Sequence, residues 1–150
     1  MKCSINRALQ RLDVTYVTPP ASFDAGSQKL RFPGQVLEHR MGTCADLTVL
    51  LAACLEGIGL NPVLVVVKGH ALPGAWLVDD WLPSASTDDP VTVRKLVAAG
   101  ELLLFDASAA TLRPPVPLAG AERTASACLA DAAEFEQLVD VKAARIARIF

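Results

Sequence analysis

The sequence predicts an α+β fold, a central buried helix packed on a small antiparallel sheet. Three observations carry that expectation. A long apolar run follows a helix-capping motif at Thr43-Cys44-Ala45-Asp46. A β-branched run, Val63 to Val67, comes next and reads as a buried strand. Helical segments dominate the first part of the chain and strands the later part, an order that favours α+β. With 150 residues, of which 52% are apolar and 20% charged, the chain is long enough for one domain with a real core and too apolar to be disordered.

Taken in order, Ile5 to Leu12 reads as a short helix with Ile5, Ala8, Leu9 and Leu12 on one face. Pro19-Pro20 stops regular structure, and Ala21 to Pro33 reads as an ordered surface loop. A second short helix is expected from Gly34 to Arg40. The third runs from Cys44 to about Gly57, with Thr43 as N-cap, Asp46 completing a capping box, and Gly57 or Gly59 ending it. Leu47, Val49, Leu50, Leu51, Cys54, Leu55 and Ile58 cover nearly its whole circumference, which predicts burial all round. Asn61-Pro62 is a turn. After the Val63 to Val67 strand, Gly69 to Val78 reads as a second strand loosened by Pro73 and Gly74. Asp79 to Pro90 has loop composition. Val91 to Ala99 is helical and closed by Gly100, and Glu101 to Phe105 is a third strand. A Pro-rich connection at Arg113 to Pro117 leads to a helical stretch, Ala119 to Ala133, a short strand near Leu138 to Val141 and a basic helix.

Several function classes fall on composition. Fourteen basic against 16 acidic residues give a net charge of −2, so no basic surplus signals a nucleic-acid partner. The longest apolar stretch, Leu47 to Leu60, carries Glu56 and falls short of the ~20 residues of a membrane span. The first residues hold no apolar signal core. The four cysteines form no C-x-x-C pair and there are two histidines, which argues against structural zinc and against a disulfide framework. A cytoplasmic protein with free thiols is the expectation.

Cys44, at the tip of the central helix, carries the chemical signal. Unpaired N–H groups and the helix dipole at that end favour a thiolate. A thiolate nucleophile needs a base, and the base an orienting acid. His70, at the junction of the first two strands, is the natural base. Asp79, Asp80 and Asp106 compete as the acid. If the second and third strands pair antiparallel, Asp106 lies beside His70, whereas Asp79 sits roughly 30 Å away at ~3.3 Å per residue. Asp106 is therefore the choice.

At these residues the sequence resembles the transglutaminase-like superfamily of papain-like thiol enzymes, which order a Cys at a helix start, a His on a strand and an Asp on the next. Gly42-Thr43-Cys44-Ala45-Asp46-Leu47, Gly69-His70-Ala71 and Leu103-Leu104-Phe105-Asp106-Ala107-Ser108 carry that pattern. Pro19-Pro20-Ala21-Ser22-Phe23, Gln28-Lys29-Leu30-Arg31-Phe32-Pro33, Leu55-Glu56-Gly57-Ile58-Gly59-Leu60-Asn61-Pro62 and Val139-Asp140-Val141 extend it. These stretches look like a transglutaminase-like module found inside large bacterial proteins with helicase and nuclease regions. The resemblance implies a single domain over residues 1–150 excised from a larger protein, whose other domains are its partners. Animal-type members place an aromatic residue soon after the histidine, where this chain has Ala71-Leu72-Pro73; Ser27-Gln28 stands where Gly-Gln is expected. Gln28 is a candidate oxyanion donor, as a glutamine upstream of the cysteine is in papain-like enzymes.

Plainer readings apply to other residues. Cys54 and Cys128 read as small buried hydrophobes. His39 reads as a surface or helix-end residue, Asp79, Asp80, Asp88 and Asp89 as solvated loop acids, Asp140 and Arg145 as a structural pair, and Trp76 and Trp81 as packing residues. The expectation is thiol acyl transfer by Cys44, His70 and Asp106 on a protein or peptide substrate, with hydrolysis preferred over transamidation and no metal or organic cofactor needed. The alternative is a catalytically silent interaction module of a nucleic-acid-processing or defence protein.

Overall fold

The computed structural model describes residues 7, 8, 10–18 and 29–149, an α+β arrangement built around a five-stranded antiparallel sheet. Helical residues 7, 8, 10 and 11 fall within the expected first helix. The chain then forms β1 (Thr15–Tyr16), α1 (Pro33–His39), β2 (Met41–Gly42), α2 (Cys44–Gly57), β3 (Pro62–Val67), β4 (His70–Trp76), β5 (Ser86–Thr87), α3 (Pro90–Ala98) and β6 (Leu102–Leu104). A 3-10 helix (Ala107–Thr111), α4 (Leu118–Cys128), β7 (Phe135–Asp140) and α5 (Val141–Ile146) complete it.

Helix α2 begins and ends as its local sequence dictates. Thr43 Oγ1 accepts the Asp46 N–H at 3.3 Å while the Asp46 carboxylate accepts the Thr43 N–H at 2.9 Å. At the other end Gly59 takes φ +84°, the left-handed conformation that ends many helices. The Gly59 and Leu60 N–H groups then reach back to the carbonyls of Glu56 and Leu55 at 2.9 and 3.0 Å. Leu47, Leu50, Leu51 and Leu55 are at most 2% exposed, and each full burial contributes roughly 1.5–3 kcal/mol.

Burial all round does not hold for the whole helix. The helix packs against α1, β3, β4 and the 3-10 helix, but its buried residues crowd the first turns, and beyond Ala52 Leu55 alone is buried. Cys54 is exposed there, not a buried hydrophobe, and Ile58 is 53% exposed.

The large sheet runs β5-β7-β3-β4-β6 with every neighbouring pair antiparallel. The residues read as loosening β4 have a more specific effect. Gly74 lies so close to β6 that a Cβ there would sit 2.3 Å from the Leu103 carbonyl, so only glycine lets the strands meet. The β4–β6 ladder covers Gly74–Trp76 and Leu102–Leu104. One step further, the Phe105 N–H donates to the Pro73 carbonyl at 3.2 Å, and Pro73 has no N–H to return. The ladder stops there and the chain turns away at Asp106.

One apolar cluster joins Val63, Val65, Val67, Leu72 and Trp76 to α3 and α4; a second joins Leu47, Leu50 and Leu51 of α2 to Leu103, Phe105 and the alanines of the 3-10 helix. The stretch read as a loop, Asp79 to Pro90, contains β5, which pairs with β7, and buries Leu82. Asp140 is fully buried and does not pair with Arg145. Its carboxylate accepts from Trp76 Nε1 at 2.9 Å, the Leu82 N–H at 2.8 Å and the Ala143 N–H at 2.9 Å. Arg145 instead meets Glu56 with two hydrogen bonds. No helix among the described residues is long and apolar enough to cross a membrane.

Candidate active site

Cys44 is the first residue of α2, and its side chain is buried at 6% exposure. The helix tip is fixed from outside as well as by its own capping box. Asp46, fully buried, accepts the Arg31 N–H at 2.7 Å and Arg31 Nη1 at 2.9 Å in addition to the Thr43 N–H. The segment leading into α1 is thereby tied to the turn that carries Cys44.

His70 opens β4 directly after Gly69, whose φ of +71° makes the turn from β3. The β4–β6 register places His70, Leu72 and Gly74 on the face that carries Leu104, and Asp106 follows Leu104 by two residues. His70 Nε2 lies 3.2 Å from Asp106 Oδ1. The imidazole also lies close enough to the Cys44 thiol that each shifts the pKa of the other. Asp106 also caps the 3-10 helix: its Oδ1 accepts the Ser108 N–H at 2.9 Å and the Ser108 hydroxyl at 2.7 Å.

The electrostatics follow from these contacts. The hydrogen bond to Asp106, then that to Cys44, outweighs burial and raises the His70 pKa to about 10. Burial pushes the Cys44 thiol up, but hydrogen bonds from His70, the Ala71 N–H and Tyr16, with the imidazolium charge, hold it below its ordinary 9.0. Burial opposes ionisation of Asp106, yet His70 and Ser108 keep its carboxyl below its ordinary range. These directions shift the pair toward a thiolate beside an imidazolium.

The structure thus brings His70 and Asp106 into contact and sets Cys44 near enough to the imidazole for the two to shift each other's pKa. Asp79 and Asp80 lie past the opposite end of β4, where Asp79 meets Lys142 at 3.1 Å. Gln28 lies outside the described residues. His39 is exposed at the end of α1. Cys128 is half-buried against the first apolar cluster. Trp76 is buried, whereas Trp81 is 43% exposed under the Lys142 ammonium, 4.2 Å from the ring centroid. Among the described residues no group of three or more His, Cys, Asp or Glu is placed to hold a metal ion.

Sequence reasoning missed Tyr16, Ser108 and the tie between Arg31 and Asp46. Tyr16 is the only tyrosine, in the strand-like Val14-Thr15-Tyr16-Val17 that precedes Pro19-Pro20. That alternation marks a short strand, yet nothing local reveals that its hydroxyl meets Cys44. Comparison of the chain with family models, with curated proteins and with solved structures finds no match.

Proposed function

We propose that this chain is a thiol acyl-transfer enzyme of papain-like, transglutaminase-like architecture that cleaves a carboxamide or peptide bond. The observation that carries the reading is the His70 Nε2–Asp106 Oδ1 contact at 3.2 Å, with the imidazole near enough to Cys44 that the two shift each other's pKa. A thiol at a buried helix tip, an imidazole raised to about 10 and a carboxylate held by Ser108 are the parts such chemistry requires.

In this mechanism the Cys44 thiolate adds to the carbonyl carbon and the carbonyl π pair moves to oxygen. As the carbonyl re-forms, the bond to the leaving amine breaks, and the His70 imidazolium protonates that nitrogen. A thioester on Cys44 remains. Water, deprotonated by the now neutral His70, adds to it and releases the acid and the thiolate. Asp106 keeps the ring oriented and stabilises its charged form. Hydrolysis is preferred over transamidation because nothing in the sequence suggests a dedicated amine site. The chain acts on a peptide or protein substrate as a module whose partners are the other domains of a larger protein.

The test is iodoacetamide labelling of the full chain at neutral pH, with the labelled cysteine identified by peptide mass. Cys44 should react faster than Cys3, Cys54 and Cys128, and His70→Ala should slow it. Equal rates in parent and variant would overturn the reading in favour of a catalytically silent module.

A further inference from the structure

Tyr16 is placed at the thiol by three independent features. Strand β1 pairs parallel with β2, setting Tyr16 opposite Gly42, two residues before Cys44, and the Val17 N–H locks that register on the Gly42 carbonyl at 2.9 Å. The half-buried ring packs against the cluster of α2 and the 3-10 helix that Asp106 caps. At that place the phenol and the Cys44 thiol are near enough to shift each other's pKa. Three donors therefore converge on the sulfur: the imidazolium, the Ala71 N–H and the phenol.

Those donors do not share one fate during acylation. As the S–C bond forms, the sulfur loses its negative charge, and a donor aimed at it loses its acceptor. The His70 proton moves to the leaving group. The Ala71 N–H is fixed by the strand. The phenol O–H can swing about its C–O bond, and the new oxyanion sits one bond beyond the carbon attached to sulfur.

We propose that Tyr16 is a catalytic residue of this site, whose hydroxyl passes its hydrogen bond from the Cys44 thiolate to the substrate oxyanion as the sulfur–carbon bond forms. This rests on the reading of Cys44 as the nucleophile. The phenol keeps its proton throughout: the sulfur lone pair makes the S–C bond, the π pair goes to oxygen, and Tyr16 donates to that oxygen until the carbonyl re-forms and the leaving group departs. Burial and the neighbouring thiolate raise the Tyr16 pKa above 10.0, which keeps the donor protonated in the working range. Such a donor favours the transition state over the ground state because the charge it meets grows on oxygen.

Two electrophiles separate this role from simple support of the thiolate. p-Nitrophenyl acetate acylates the thiol through an oxyanion and releases p-nitrophenolate; iodoacetamide alkylates it by displacing iodide with no oxyanion. Tyr16→Phe, which keeps the ring and its packing, should slow acylation about 10²-fold and alkylation far less, as loss of one oxyanion donor predicts. Equal slowing of both reactions, or of neither, would overturn the proposal. Replacing the single tyrosine with 3-fluorotyrosine, a stronger donor, at a pH where it stays protonated should raise the ratio of acylation to alkylation; an unchanged ratio would overturn it too. A parent chain unreactive at Cys44 toward both reagents instead removes the nucleophile itself, a failure readily told apart from that of Tyr16.

Discussion

His70 Nε2 faces Asp106 Oδ1 at 3.2 Å because Pro73 ends the β4–β6 ladder one residue before the aspartate. Had the ladder continued, Asp106 would sit in the strand with its backbone paired to Leu72. Released from it, the residue caps the 3-10 helix and its side chain swings to the ring. A missing backbone donor in one strand thus positions an acid on the next.

Asp106→Asn tests the relay. The amide can still cap the 3-10 helix, so stability should change little. It cannot hold the imidazolium, and it favours the wrong tautomer. Acylation by p-nitrophenyl acetate should fall by at least about 10²-fold, and the His70 pKa, followed by NMR, should drop from about 10 toward 6.5. Asp79→Asn and Asp80→Asn, exposed beyond the far end of β4, should leave both readings unchanged. A loss of acylation in either of those that matches Asp106→Asn would contradict the assignment.

The Cys44–His70 pair predicts an unusual dependence of stability on pH. The raised His70 pKa contributes stability that is complete below 6.5 and lost as pH rises through about 10. The depressed Cys44 pKa contributes stability present above 9.0 and lost as pH falls through its folded value. Between the lowered folded value of Cys44 and 9.0, the folded pair and the unfolded pair each hold one proton, so their contributions cancel there. In Cys44→Ala only the histidine remains, and stability should fall as pH rises above 6.5, by at most about 1.4 kcal/mol per pH unit. Urea unfolding of both proteins at pH 7 and pH 8.5 reads the difference; identical slopes would mean that the thiol is not ionised beside the ring.

How much of this was legible depends on how local each interaction is. The Thr43–Asp46 box and the Gly59 stop lie within a few residues of the helix they bound, and the sequence displays them. The approach of Asp106 to His70 came from strand polarity and length, which suffice for an antiparallel pair. Tyr16 reaches Cys44 through a parallel pairing of two-residue strands, which leaves no periodicity to read. Asp140 and Arg145 read as a structural pair, yet the Trp76 indole and Leu82, brought in by strands and loops far along the chain, claim the carboxylate. Cys54 shares the apolar pattern of α2, but burial depends on what stands opposite, and among the described residues that face is left exposed near the helix end.

Ser108→Ala separates orientation from charge at Asp106. The variant loses the 2.7 Å hydroxyl bond but keeps the 2.9 Å backbone bond, so the carboxylate stays near His70 with more freedom. With a donor gone, the Asp106 carboxyl should ionise at higher pH than in the parent. The acid limb of the acylation profile should move up, with the rate at pH 7 falling by a few-fold to about 10-fold, and stability should drop by about 0.5–1.5 kcal/mol, the usual net worth of one hydrogen bond. An unchanged acid limb with a full loss of rate would instead mark Ser108 as a direct participant.

Asp46→Ala tests whether the helix tip is held by structure separately from its reactivity. Asp46 is buried and accepts three hydrogen bonds, two from Arg31 and one from Thr43. Its loss strips the capping box and leaves the Thr43 and Arg31 N–H groups without their carboxylate. The cost should be about 2–4 kcal/mol, the sum of a lost cap and unsatisfied buried donors. Thr43→Ala, which removes the side-chain acceptor for the Asp46 N–H, should cost about 1 kcal/mol. The Asp46 contribution is present above its unfolded pKa of 3.8 and disappears as pH falls through the lower folded value, because burial is outweighed by the Arg31 and Thr43 hydrogen bonds. Urea denaturation at pH 7 and pH 3 should therefore show the parent and Asp46→Ala converging at the acid end. Molecules of the variant that remain folded should still alkylate at Cys44 within a few-fold of the parent rate, since His70, Ala71 and Tyr16 still face the sulfur. A variant as stable as the parent at pH 7 would show that Arg31 and Thr43 find other acceptors, and that the carboxylate is not what holds the tip.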